Sequence, residues 1–474
     1  MCKICAKVLI IIILFSGPSV FGQKINFKLS NYKLPEYKRE LFDFKFNFNG
    51  SHRKSDYFNN YDIYGDPESF LSLQNNIDGV YNLYVNSSQF QKERSINMSL
   101  PLSYQKFNTS EQLNTTPHFE IENIHRRFLK RNDYFETNFN ANIGGFLAKR
   151  TSQENQKQIN AFIELPFKYG NGRIEEVQDA RQAVYLFQEF QNANILNQTV
   201  NDEDIIKLAT QISKLKKERY YDSRIQKIHE LEIIDVFLKE HNYISENNIG
   251  YFAVLNDMWD YGRNQIRKSG NSAALAIYPG IGALKMTSGS NSQTLITPSI
   301  SGGFELNAHK PLSLKVQSNT EFKALGGYMQ WKDTDSEQKA KLPHARLSFY
   351  QDFGIYPNTR TDFNVFTNLS LIQFIEAKTA SNGTQPESRM MEITGGVNWN
   401  YYISERLRFR LDWQVSYISN DSDYYEGMPL DQNINQNVLV SVLENSLSDN
   451  FYYMYPVKEK LFQTFNISLI YHLF

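Results

Sequence analysis

Cysteine is almost missing from this chain: Cys2 and Cys5 are its only two, and both precede the first apolar run. That run, "VLIIIILF", follows the basic Lys3 and Lys7 and leads into the small residues of "SGPSVFGQ". The layout is that of an export leader, residues 1–22, cleaved after Gly22. Neither cysteine is placed for lipid attachment, and a mature chain without thiols excludes disulfides, Cys-ligated metal and thiol catalysis. Long hydrophobic runs are scarce as well. None after the leader approaches the about 20 apolar residues of a membrane-crossing helix, so residence in a membrane would need strands. Charge of one sign is also lacking: 50 Lys and Arg oppose 51 Asp and Glu with no long basic run, which argues against nucleic acid as a partner.

Catalytic signatures are absent too. There is no H-E-x-x-H and no G-x-S-x-G, and Gly280-Ile-Gly282 lacks the third glycine of a dinucleotide turn. The eight histidines are scattered, His472 among them as a polar residue of a strand's inner face. "DTDSE" (333–337) and "NDSDYYE" (420–426) lack the Gly and the closing Glu of a calcium loop and read as solvated acid. "ERYYDSR" (218–224) is explained by helical surface ion pairs. These absences point to no enzyme, no cofactor and no metal.

What the chain does have is aromatic residues, 34 Phe and 29 Tyr in 474, recurring at every second position. In "LRFRLDWQVSY" Leu407, Phe409, Leu411, Trp413, Val415 and Tyr417 alternate with Arg408, Arg410, Asp412, Gln414 and Ser416. Successive strand side chains point to opposite faces, so this stretch has one oily and one charged face. "LFDFKFNFNG" does the same with Phe42, Phe44, Phe46 and Phe48. About six such strands precede residue 172 and about eight follow 270. The first group is expected near 42–53, 69–86, 93–108, 118–131, 134–152 and 157–170. The second is expected near 272–285, 295–308, 312–331, 344–356, 361–378, 390–403, 407–419 and 459–474. Tight links at 309–311, 357–360 and 404–406 should alternate with long ones at 286–294, 333–342, 379–389 and 420–458, while the link at 86–94 reads as loose. Short turns at one end and long loops at the other are a membrane-barrel pattern.

Residues 172–270 change period. Val177, Ala180, Val184 and Phe187 stand at helical spacing, as do Ile205, Leu208, Ile212 and Leu215 behind a cap at Asn201. Two more helices are expected through "YYDSRIQKIHELEIIDVFLKEHN" and "GYFAVLNDMWDYG". The predicted architecture is an all-β transmembrane antiparallel barrel of about 14 strands with an inserted periplasmic bundle of about four helices. Its parts are an N-terminal periplasmic or plug segment at 23–41, strands 1–6 in 42–171, the helical insertion in 172–270 and strands 7–14 in 271–474. A secreted sandwich would alternate as well. Run lengths beyond the about 10 residues of a tilted crossing favour the barrel.

The chain resembles outer-membrane β-barrels, whose last strand commonly ends in Phe after alternating apolar residues. "FQTFNISLIYHLF" ends in Phe474, with Phe465, Ile467, Leu469, Tyr471 and Leu473 one residue out of that phase. The Asn/Tyr/Phe-rich strands and the insert opening "GNGRIEEVQDARQAVYLF" are similar to uncharacterised Bacteroidota outer-membrane barrels. The resemblance implies the cell outer membrane, with lipid on the oily faces. The charged faces then line a lumen: Lys45, Lys315, Lys323, Arg346, Arg408 and Arg410 against Asp43, Glu136, Glu321, Asp352, Asp362, Glu392 and Asp412. Such mixed charge either pairs and seals the lumen or lines a water-filled path. Tyr220, Tyr221 and Trp259 are candidates for binding a periplasmic protein partner, with packing inside the bundle as the alternative. Two functions compete: a channel or gated transporter for a small solute, and a membrane-anchored scaffold whose bundle holds a partner.

Overall fold

The computed structural model describes residues 25–55, 68–107, 110–129, 132–151, 153–215, 223–244, 249–262, 267–335, 339–375, 377–378, 384–385, 388–404, 407–420 and 459–471. Among these residues eight strands come before the helices: β1 (Tyr37–Ser55), β2 (Glu68–Asn86), β3 (Phe90–Phe107), β4 (Ser110–Thr115), β5 (His118–Phe128), β6 (Asp133–Arg150), β7 (Gln153–Glu164) and β8 (Phe167–Glu176). Ten follow them: β9 (Lys268–Ser288), β10 (Asn291–Ser313), β11 (Val316–Asp333), β12 (Lys339–Asn358), β13 (Thr361–Phe374), β14 (Ala377–Lys378), β15 (Thr384–Gln385), β16 (Ser388–Tyr402), β17 (Leu407–Asn420) and β18 (Glu459–Tyr471). β14 and β15 pair only with each other; the other sixteen form one antiparallel sheet in chain order. β4 and β5 share one place between β3 and β6, and β7 and β8 share one between β6 and β9. Among the described residues the sheet therefore has fourteen positions, running from β1 at one end of its path to β18 at the other.

Proline explains both shared places. Pro117 and Pro166 carry no N–H and cannot donate to a ladder. Their carbonyls still accept, from the amides of Gly145 (2.9 Å) and Asn138 (2.8 Å), so each break is local. The alternation is realised as two faces. On one, Phe42 is 71% exposed and Leu275 66%, with Phe44, Phe46, Ile277, Phe465 and Leu469 also exposed. The other carries the polar and charged partners in register, for instance Glu136 opposite Lys168 and Ser370 opposite Glu392.

Two expected links differ from the structure. The connection after β2 is only Ser87–Gln89, closed by the Ser87 hydroxyl accepting from the amides of Gln89 and Phe90. The connection after β9 is the two-residue turn Gly289–Ser290, where Gly289 takes φ +57°, open to glycine without steric cost. Loop length thus does not alternate as cleanly as the sequence suggests. The 420–458 link falls almost wholly outside the described residues.

Between β8 and β9 stand α1 (Gln178–Asn192), α2 (Asp202–Leu215), α3 (Ser223–Glu240) and α4 (Ile249–Gly262). β8 runs to Glu176, beyond the boundary at 172 expected from the sequence. Asn201 caps α2 as expected: its side-chain oxygen accepts from the Asp204 amide at 3.1 Å, while Asp204 accepts from the Asn201 amide at 3.0 Å. Val184, Phe187 and Phe190 pack with Leu208, Ile212, Tyr251 and Trp259 in the core of the helical unit. Phe27, Leu29, Tyr32 and Leu34 belong to the same core, so residues 25–36 line the helices rather than plug the lumen. An apolar residue at every second or third position suits that groove better than a polar interior. Among the described residues, no helix is long and apolar enough to cross a membrane.

Candidate functional site

The polar face of the sheet curves around a cavity of about 600 Å³. Every strand of the large sheet from β5 to β17 contributes to its wall, from Glu120 on β5 through Tyr278 on β9 and His344 on β12 to Gln414 on β17. Such an arrangement is possible only if the sheet is strongly curled. The exposed apolar residues then form the outside of the curl.

In and behind the cavity wall an ion cluster ties five strands. Glu136 of β6 is 2.5 Å from Arg126 of β5 and 3.2 Å from Lys168 of β8. Lys168 also reaches Glu305 of β10 at 2.9 Å, and Lys323 of β11 stands 3.5 Å from the same carboxylate. The Tyr278 hydroxyl donates to Glu305 as well. Removing Glu136, 1% exposed, would leave Arg126 and Lys168 without their shared carboxylate in a largely buried setting, at about 3–5 kcal/mol.

The helical unit is seated across one end of the curl by two arginines, Arg267 and Arg360. Arg267 donates to the carbonyls of Ser313, Leu314 and Val316 and to the Gln317 side chain at 2.8–3.0 Å, grasping the β10–β11 turn. At the same end Arg173 of β8 donates to the carbonyls of Ser87 and Ser88, tying β8 to the β2–β3 turn. Arg360, in the β12–β13 turn, pairs with Asp257 of α4 at 2.5 Å. Helix α1 is covered on every side from Gln178 to Phe187, including the charged Asp179 and Arg181. Arg181 and Arg267 stand 5.6 and 4.7 Å from the ring of Tyr356, which lies on the inward face of β12. Burial pushes the Arg181 guanidinium below its usual range. Burial, with Arg181 nearby, brings Arg267 down to about 10. α1 is therefore the floor of the curled sheet, and Arg181 is buried where it meets the sheet's inner rim. On its other side Ser213 donates to Asp179 at 2.5 Å and lies 2.7 Å from the Tyr32 hydroxyl.

Glu321, Arg346 and Glu392 line the cavity, as expected of lumen residues. Glu136 does not line the cavity but pairs from behind with Lys168, which does. Asp352 is on the same face but is held by Asn319 (2.8 Å) and Tyr350 (3.0 Å) outside the cavity wall. Arg410 pairs with Asp412 on its own strand at 2.7 Å, and Arg408 stands 5.7 Å from the Tyr402 ring, again on the inner face and outside the cavity. Lys315 is a correction: it stands exposed in the Leu314–Lys315 turn, because β11 begins only at Val316. Trp259 is another. It is buried, and its indole donates to Glu230 at 2.7 Å, so it is a core residue of the bundle rather than a docking residue. The side chain of Lys45 and all of Tyr220 and Tyr221 lie outside the described residues. Sequence reading missed Glu120, Glu122, Asn138, Glu164 and Lys168. The alternation of "HFEIEN" and "NFNANI" puts Glu120, Glu122 and Asn138 on the inner face, and Glu164 and Lys168 flank Pro166, where the break in the strand obscures the alternation.

No protein-family model matches the chain, and no curated protein matches it. Among solved structures it is similar to the translocator domain of the autotransporter NalP from Neisseria meningitidis, at 9% identity and a TM-score of 0.28, over 77% of this chain and 88% of that one. A superposition that loose leaves the fold to be judged from the strand pairing itself.

Proposed function

We propose that the chain is an outer-membrane β-barrel of fourteen strand positions, closed by β1 on β18, that acts as a gated channel or transporter for a small solute. The observation that carries this reading is a polar cavity whose wall is apolar on the reverse side and whose one end is covered by the helical unit. An apolar outside of this extent needs cover, and lipid supplies it over the whole circumference. The helical unit is the gate, and it lies in the periplasm with the N-terminal segment. Glu176 pairs directly with Lys268, so a short turn can replace residues 177–267 without disturbing the sheet. Purified full-length protein in liposomes should give little swelling in small sugars, and the shortened chain should give rapid swelling. Equal rates in the two would remove the gate, and no swelling in either would remove the channel.

A second reading, a barrel that anchors a partner-binding bundle, is favoured by α3. Its Ile225, Ile228 and Val236 are about half exposed along one side of the helix. Loss of a co-purifying periplasmic protein on changing these three to Glu, with swelling behaviour unchanged, would support that role.

A further inference from the structure

We propose that the cavity takes a small organic cation, an inference that rests on the solute-handling reading and names its ligand class. Glu120, Glu122, Glu164, Glu321 and Glu392 line the space. Among the described residues its basic lining is Lys168, Lys323 and Arg346. Two of these bases already face acids set back in the wall: Lys168 lies between Glu136 and Glu305, and Lys323 is beside Glu305. A solute inside therefore meets a negative balance, although the chain as a whole carries a formal charge of only −1. Low-dielectric walls focus that field onto whatever enters.

Carboxylates alone would suit a metal ion as well. Among the described residues, however, no three His, Cys, Asp or Glu side chains converge to chelate one. The carboxylates are spread over β5, β7, β11 and β16 rather than gathered at one point, which favours a ligand with more than one positive group. Two further groups point to such a ligand independently of the charges. Asn138 (7% exposed) and Ser370 (5% exposed) line the cavity, and the side-chain oxygen of each has no hydrogen-bond partner in the protein. Both can accept from an ammonium N–H, and an acceptor left without a donor in a buried wall is costly. On the same wall the rings of Tyr350 and Phe366 stack at 6.5 Å, offering π faces that attract a desolvated cation. The volume falls in the range of about 300–1,000 Å³ typical of small-molecule sites. Amines with two or more charges separated by methylenes meet all of these features.

Spermidine is the probe, with inorganic phosphate and raffinose as anionic and neutral comparators. Calorimetric titration of the full chain in neutral detergent at low salt should show spermidine binding, weakened by salt, and no binding of the comparators. Glu321→Gln with Glu392→Gln should weaken binding at least tenfold. Arg346→Gln should strengthen it several-fold, a gain that misfolding cannot mimic. Phosphate or raffinose binding as well as spermidine, no heat with spermidine on folded protein, or unchanged affinity in both variants would overturn the proposal. The titration needs no passage through the barrel. Spermidine binding without liposome swelling therefore sinks the channel reading alone, and swelling without preferential spermidine binding sinks this one alone.

Discussion

Leu411 and Gln414 stand three residues apart on β17 and face opposite media. Leu411 pairs with Ile467 on the exposed apolar side, and Gln414 lines the cavity. If lipid covers the apolar side, Leu411→Arg should destabilise the barrel by about 2–4 kcal/mol, while Gln414→Arg should cost under about 1 kcal/mol. Urea refolding into lipid vesicles measures both, and equal losses would argue against a lipid-facing Leu411. Trp259 teaches the converse lesson at the same scale. An aromatic residue on a short amphipathic helix reads equally well as docking or core. Its buried bond to Glu230, from a different helix, is what decides. Trp259→Phe should lower the stability of the helical unit by about 1–3 kcal/mol through the stranded carboxylate, seen as an earlier thermal transition.

For the helical unit as an element, attachment matters more than propensity. At its root, Gly172 and Gly270 adopt φ +119° and +130°, and an added Cβ at either would meet a backbone oxygen within 2.1 Å. Neither glycine can be replaced without moving β8 or β9. Arg267→Gln should loosen the seat by about 3 kcal/mol. The expected readout is faster hydrogen exchange in α1 and the 313–317 turn, with the sheet unchanged. Alkali should act on the same unit. Burial and the bonds from Tyr243 to Asp204 and from Tyr251 to Asp235 hold both phenols well above their ordinary 10.0. The folded unit then keeps protons that the unfolded chain gives up, so its stability is full below pH 10.0 and falls as pH climbs past it. Absorbance at alkaline pH should show these two tyrosines ionising only as the helices melt. Early, independent ionisation would contradict the burial.

For the whole molecule, orientation is the quantity to test. The helical unit, residues 25–36 and the turns at 87–89, 314–315 and 359–360 share one end of the sheet, and Gly289–Ser290 lies at the other. In a background without Cys2 and Cys5, Ser290→Cys and Lys207→Cys place single thiols on exposed residues at the two ends. An impermeant maleimide on intact cells should label Ser290→Cys and spare Lys207→Cys. The reverse pattern would put the helical unit outside the cell.

Some of this was legible in residue order alone because it depends on neighbours along the chain. The two-residue period that separates Phe42 from Asp43, the helical spacing of Ile205, Leu208 and Ile212, and the cap at Asn201 are all local. Each side chain's face follows from φ and ψ. Fourteen positions could be anticipated by counting such runs, but the breaks at Pro117 and Pro166 could not be placed in register. Only the tertiary structure decided what the charges meet. Lys168 lies 137 residues from Glu305, and Arg267 is separated from its turn by all of β9 and β10. It also decided that residues 25–36 serve the helices and that Asp179 and Arg181 are buried. Pairing at that separation is set by how the sheet curls and where the inserted helices come to rest, and no local pattern encodes either.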